Sequence, residues 1–164
     1  MIDNFISPIL MRRLKFLMEE ARHNVKRDQV ITYAMRVISN YATIGKDASS
    51  TKIKSENKNV SEASFKLLLE LNSFEEWAKQ TINEHQIPLK VLWEEIQSRK
   101  LDEKDIWEIF LDAPMITITK KEDVKLNTMG FRSSSDKSRY KKAGVSIIEL
   151  PDKPIKILKN KGTN

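Results

Sequence analysis

The densest chemistry in the sequence lies between Lys120 and Lys142. Eight cations fall in this stretch: Lys120, Lys121, Lys125, Arg132, Lys137, Arg139, Lys141 and Lys142. Phe131 and Tyr140 are interleaved with them, and Ser133, Ser134 and Ser135 add hydroxyl donors. Ammonium, guanidinium and hydroxyl groups are the usual contacts to phosphate oxygens, and aromatic rings stack on exposed bases. The pattern points to nucleic acid. Lys120, Lys121, Lys125, Arg132, Arg139, Lys141 and Lys142 would meet phosphates, and Phe131 or Tyr140 would stack. The competing reading is an ordinary solvated loop rich in lysine.

A second cationic set, Arg12, Arg13, Lys15, Arg22, Lys26 and Arg27, lies on and after the first helix. It reads either as another phosphate surface or as a face that docks on acidic residues of this chain or of a second copy.

A third candidate is Glu84-His85-Gln86-Ile87-Pro88. An imidazole beside a carboxylate can serve as a base or as a metal ligand. The same residues also make a plain turn between helices, with Pro88 opening the next one. The carboxylates Glu94, Glu95, Asp102, Glu103, Asp105, Glu108 and Asp112 lack calcium-loop spacing and read as solvated helix faces. There is no P-loop and no G-x-S-x-G. With no cysteine, disulfides, thiolate chemistry and cysteine-ligated zinc are excluded.

The string E-H-Q-I-P resembles the acidic-His-x-x-Pro element of HNH-type (ββα-metal) nucleases. The later T-K-K-E-D-V-K-L-N of residues 119–127 resembles the polar helix that carries that family's Asn. The resemblance implies His85 as the base that activates water, Glu84 as a ligand of a divalent metal, and Asn127 as the positioning residue. A divalent metal is expected only on this alternative; the preferred reading calls for no cofactor and no metal site.

Charge is zoned along the chain. Residues 1–58 hold 11 basic and 6 acidic side chains, residues 59–119 hold 6 and 12, and residues 120–164 hold 12 and 5. An acidic middle between basic ends suits an anionic partner better than it suits simple solubility.

The elements that must position these groups are mostly helical. Ser7-Pro8 opens a first helix with Leu10, Leu14, Leu17 and Ala21 inward. A second is expected over Asp28 to Tyr41 on a Val30, Ala34, Val37, Tyr41 stripe, with Gly45 as its stop. Residues 46–60 are so polar that they read as a flexible linker. Ser61 caps a helix bearing Phe65, Leu68 and Leu69. Ser73 and Glu76 form a capping box for one bearing Phe74, Trp77, Ala78 and Ile82. Pro88 and Asp102 start two more. Met115–Thr119 alternates as a strand, Thr119 and Glu122 box a further helix that stops at Gly130, and 145–150 is a second strand. Trp77, Trp93 and Trp107 read as core.

The expected fold is therefore α+β and mainly α, a helical body with a two-stranded β element near the C-terminus. Its parts are an N-terminal helical pair (1–45), the linker (46–60), a body with a C-terminal β-α-β element (61–150) and a basic tail (151–164). The N-terminus shows no signal-peptide pattern and no apolar run of bilayer length, which reads as a soluble, cytoplasmic protein. The expected function is that of a small nucleic-acid-binding accessory or regulatory protein. The alternatives are the metal-dependent nuclease and a protein-interaction adaptor or homodimer that joins acidic to basic zones.

Overall fold

The structure, a computed structural model, describes residues 7–150; the expected basic tail at 151–164 lies outside them. Helix α1 (Pro8–Arg22) begins as its sequence demands, with the Ser7 hydroxyl accepting from the Ile9 N–H and proline in the first turn. Leu10, Leu14, Leu17 and Ala21 are all buried. Asp28 caps α2 (Gln29–Ile44) by accepting from Ile31 N–H at 2.8 Å, and Gly45 ends it in the left-handed region at φ 77°. The inward face of α2 is Ile31, Ala34, Met35, Val37 and Ile38, so the expected stripe is rotated and Val30 is exposed. The reason is breadth: α2 packs against both α1 and α7 (Glu103–Leu111) and needs a wide apolar face. With α6 (Leu89–Arg99) these helices enclose the main core, which includes Trp93, Ile96, Ile106 and Phe110.

Residues 46–60 are not a linker. Ser49 caps a short helix, α3 (Ser50–Glu56), and Asn59–Ser61 form strand β1. Ile53, Lys54, Asn57 and Val60 are buried. The polar side chains are satisfied inside: Lys54 Nζ donates to Ala78 O at 2.6 Å and Thr81 O at 2.7 Å, and Asn57 Nδ2 donates to Met115 O at 3.0 Å and to Thr117 Oγ1 at 3.2 Å. Composition suggested that nothing here could offset ordering; hydrogen bonds to backbone acceptors supply what apolar area does not.

Helices α4 (Glu62–Leu71) and α5 (Phe74–Gln80) close over Leu68 and Trp77. Helix α5 stops two residues before Ile82, which belongs to strand β2 (Thr81–His85). Strand β3 is Met115–Thr119, and β4 is Ile147–Glu149. The sheet is mixed, in the order β2-β3-β1-β4, with β1 and β3 parallel and the other two pairings antiparallel. The fold is α+β and mainly α, but its strands are not confined to the C-terminal end. The two expected strands do not pair with each other, because β1 lies between them.

Helix α8 (Lys120–Thr128) opens with the expected reciprocal box: Thr119 Oγ1 accepts from Glu122 N–H, and the Glu122 carboxylate accepts from Thr119 N–H at 2.9 Å. A 3₁₀ turn (Phe131–Ser133) and α9 (Arg139–Lys142) follow. Leu126, Tyr140, Ala143 and Val145 pack with Ile116 and Ile118 on one face of the sheet. Among the described residues, no helix is long and apolar enough to cross a membrane.

Candidate nucleic-acid interface

The eight cations of residues 120–142 do not behave alike. Lys120, Lys121, Lys125, Arg132, Lys137, Lys141 and Lys142 are exposed, whereas Arg139 is fully buried. The Arg139 guanidinium donates to Glu84 Oε1 at 2.9 Å, His85 O at 2.7 Å, Tyr140 Oη at 3.0 Å and Phe131 O at 2.8 Å. It also lies 4.8 Å from the centroid of the Tyr140 ring. These contacts tie α9 and the 3₁₀ turn to the end of β2. Arg139 is thus occupied by the fold and does not face solvent phosphate. Tyr140 is 5% exposed, too enclosed to receive a base, and burial pushes its phenol above the ordinary value. Phe131 is half-buried against the same apolar cluster.

The exposed cations also divide. Lys142 pairs with Asp136 at 2.7 Å, and Lys137 Nζ donates to Asp112 O at 2.7 Å. No ion pair forms at Lys120, Lys121, Lys125, Arg132 or Lys141 among the described residues. Elsewhere some surface cations are matched, as in Lys46 and Lys52 with Glu56, Lys66 with Glu62, and Arg99 with Glu95, while Arg12, Arg13, Lys15, Arg22, Lys26, Arg27 and Arg36 form no ion pair among the described residues. Lys120 and Lys121 occupy the first turn of α8, where the helix dipole disfavours positive charge by about 0.3–1 kcal/mol each. Glu122 and Asp123 in the same turn offset that cost.

Two of the unpaired cations share a groove. A concavity of about 540 Å³ is lined by Gln86, Lys137, Lys141 and the Gly144–Ile147 segment. Lys125 Nζ lies 3.3 Å from where a Cβ on Gly144 would sit, at the rim of this groove, and Gly144 itself takes φ +68°. Three lysines therefore converge on one concave strip beside β4. Lys120 and Lys121 line a separate groove of about 530 Å³ with Lys66 and Leu67.

The pair expected to do nuclease chemistry is split by strand geometry. Glu84 and His85 are neighbours in β2, and successive side chains of a strand point to opposite faces. Glu84 faces Arg139; burial holds its carboxyl above the ordinary range against the pull of that guanidinium. His85 lies on the other face, in a cleft with Arg36 and Asn83. Its imidazole is held down at about pKa 4, first by desolvation and then by the positive charge of Arg36 and Arg139. Asn127 is exposed on α8. These three do not converge, and among the described residues no group of three or more His, Asp or Glu side chains could hold a metal. The turn expected at Glu84–His85 is likewise replaced by strand.

Sequence reasoning missed Arg36 and Tyr33, which line a cleft with His85 only because α2 packs near β2, and Asn83, which shares a strand face with His85. No periodicity or local motif marks them. Comparison with protein-family models, with curated proteins and with solved structures finds no match to this chain.

Proposed function

We propose that this protein binds nucleic acid through the cations of α8, the 3₁₀ turn and α9, as an accessory or regulatory factor of the cytoplasm. The observation that carries the reading is the set of five exposed cations, Lys120, Lys121, Lys125, Arg132 and Lys141, that form no ion pair among the described residues. Counterions released from phosphate favour such a surface whatever the base sequence. The complete absence of cysteine suits a reducing compartment. Arg139, Tyr140 and Glu84 support this surface from beneath by fixing α9 to the sheet.

The test is electrophoretic-shift or anisotropy binding to single- and double-stranded DNA and RNA over a salt series, in chelator. Replacing Lys125, Arg132 and Lys141 with Gln should lower the salt slope by about 0.7–0.9 per lost phosphate contact. Unchanged affinity and slope in that variant would sink the proposal. Metal-dependent cleavage abolished by His85→Ala would replace it with the nuclease. Concentration-dependent assembly with no affinity for nucleic acid would replace it with the adaptor.

A further inference from the structure

The opposite face of the sheet carries a cleft of about 760 Å³, walled by α2 residues Tyr33, Arg36 and Asn40, by Ser49 and Ser50 at the start of α3, and by Asn83 and His85 of β2. A second concavity of about 620 Å³ shares Tyr33 and Arg36 with it and continues to Arg27 and Thr32. The volume is in the range of small-molecule sites, roughly 300–1,000 Å³, and well beyond what a lone phosphate ion needs.

Three independent observations at this cleft point to a ligand. The first is His85 Nε2, which is shut off from water and has no hydrogen-bond partner. A buried polar atom left unsatisfied is uncommon, and because no water-sized group touches Nε2 in this conformation, its cost is recovered only when the cleft wall opens to a partner. The second is Arg36, exposed at the cleft wall and joined to no carboxylate in an ion pair among the described residues. The cleft's carboxylate, Asp47, is engaged by Asn40 Nδ2 at 2.8 Å. The second concavity also holds Arg27, which donates to Thr32 Oγ1 at 2.9 Å, and the Asp28 carboxylate, which accepts from Ile31 N–H at 2.8 Å; Arg36 is the cation that lines both concavities. The third is Tyr33, whose side chain is largely solvent-facing, with the Arg13 guanidinium 5.2 Å from its ring centroid. An exposed ring flanked by arginines is a stacking platform for a planar group attached to an anion.

We infer that this cleft binds a nucleotide unit, its phosphate on Arg36 and its base along Tyr33. Asn83 and Ser50 fix the wall: Asn83 Nδ2 donates to Ser50 O at 3.0 Å and lies 3.2 Å from Ser50 Oγ. The unit can come from a free mononucleotide or from the end of a single strand. The site shares no residue with the α8–α9 surface, so its failure and the failure of the nucleic-acid reading are separable.

The experiment is a resonance titration of the full chain with inorganic phosphate, adenosine, AMP, UMP and a short single-stranded oligonucleotide. AMP or UMP should shift Tyr33, Arg36, Asn83 and His85 with an affinity at least about tenfold above that of phosphate or adenosine alone, because both parts of the ligand are engaged. Arg36→Gln, at an exposed position, should keep the dispersed spectrum and weaken binding about tenfold or more. Tighter engagement of these same residues by the oligonucleotide identifies the strand end as the source; equal or weaker engagement identifies the free nucleotide. The inference is overturned if no probe shifts the cleft at millimolar concentration, if Arg36→Gln binds as the parent does, or if every shift falls on α8 and α9 instead.

Discussion

The two faces of the sheet bury polar groups by opposite means. Beneath α8 and α9 a full guanidinium meets a carboxylate, Arg139 against Glu84, in the midst of an apolar cluster. On the other face a network of amides and hydroxyls is buried without a paired charge: Asn57 Nδ2 donates to Met115 O and Thr117 Oγ1, and Thr117 Oγ1 donates to Asn83 Oδ1. A buried ion pair is rigid and intolerant, since losing one partner strands the other charge. A neutral network loses one bond at a time. The charged face lies under the exposed cations of the proposed phosphate surface, and the neutral face borders the cleft around His85.

Breaking the charged face should give the largest effect. Arg139→Ala is expected to cost about 3–5 kcal/mol by urea denaturation, whereas replacing both Arg139 and Glu84 by Met and Leu should restore most of it. If the single variant costs no more than a surface change, the ion pair is not what anchors α9.

The next effect belongs to His85. Its proton is bound below an ordinary 6.5 in the unfolded chain but only below about 4 in the folded one. Acid therefore protonates the unfolded state first, and stability is lost as pH falls from 6.5 towards 4. This contribution amounts to about 3 kcal/mol at most between pH 7 and pH 4. Burial of the imidazole sets most of it, and the positive charges of Arg36 and Arg139 add to it. Denaturation of the parent and of His85→Gln at both pH values isolates it; parallel losses in the two would remove His85 as the cause.

The neutral network should be gentler. Asn57→Ala frees Met115 O and one partner of Thr117 Oγ1, and about 1–3 kcal/mol is expected by the same assay. A loss as large as that of Arg139→Ala would erase the distinction between the faces. Smallest of all, the Lys125, Arg132 and Lys141 triple Gln variant should change stability by no more than about 0.5 kcal/mol, because these side chains are exposed and form no ion pair among the described residues. A larger loss would mean that they serve the fold.

Legibility in the sequence tracked apolar periodicity and caps. Ser7-Pro8, Asp28, Ser61, Asp102 and the Thr119–Glu122 box each start the helix they announce. Strand β3, five alternating β-branched or bulky residues, was equally plain. Strand β1 was not, because three residues, Asn-Val-Ser, carry no period, and the stretch before it buries Lys54 and Asn57 through carbonyl acceptors that composition cannot reveal. In the candidate site, the cationic character of residues 120–142 was visible, but nothing local separated Arg139 from its neighbours. Its burial depends on Glu84, reached only once β2 forms where a helix and turn were expected.

The position of β1 also sets the order in which the chain can fold. This three-residue strand is one of the two interior strands of the sheet, yet its parallel partner at Thr117 and its antiparallel partner at Ile148 both come from far downstream. Closing loops of that length is slow, because their entropy is lost before the pairing rewards it. During synthesis, Val60 would leave the ribosome long before either neighbour exists. Until β4 arrives, one edge of β1 has no strand to pair with and is open to pairing with another chain. A chain halted shortly before Ile147 should therefore be more prone to association than one halted after Leu150.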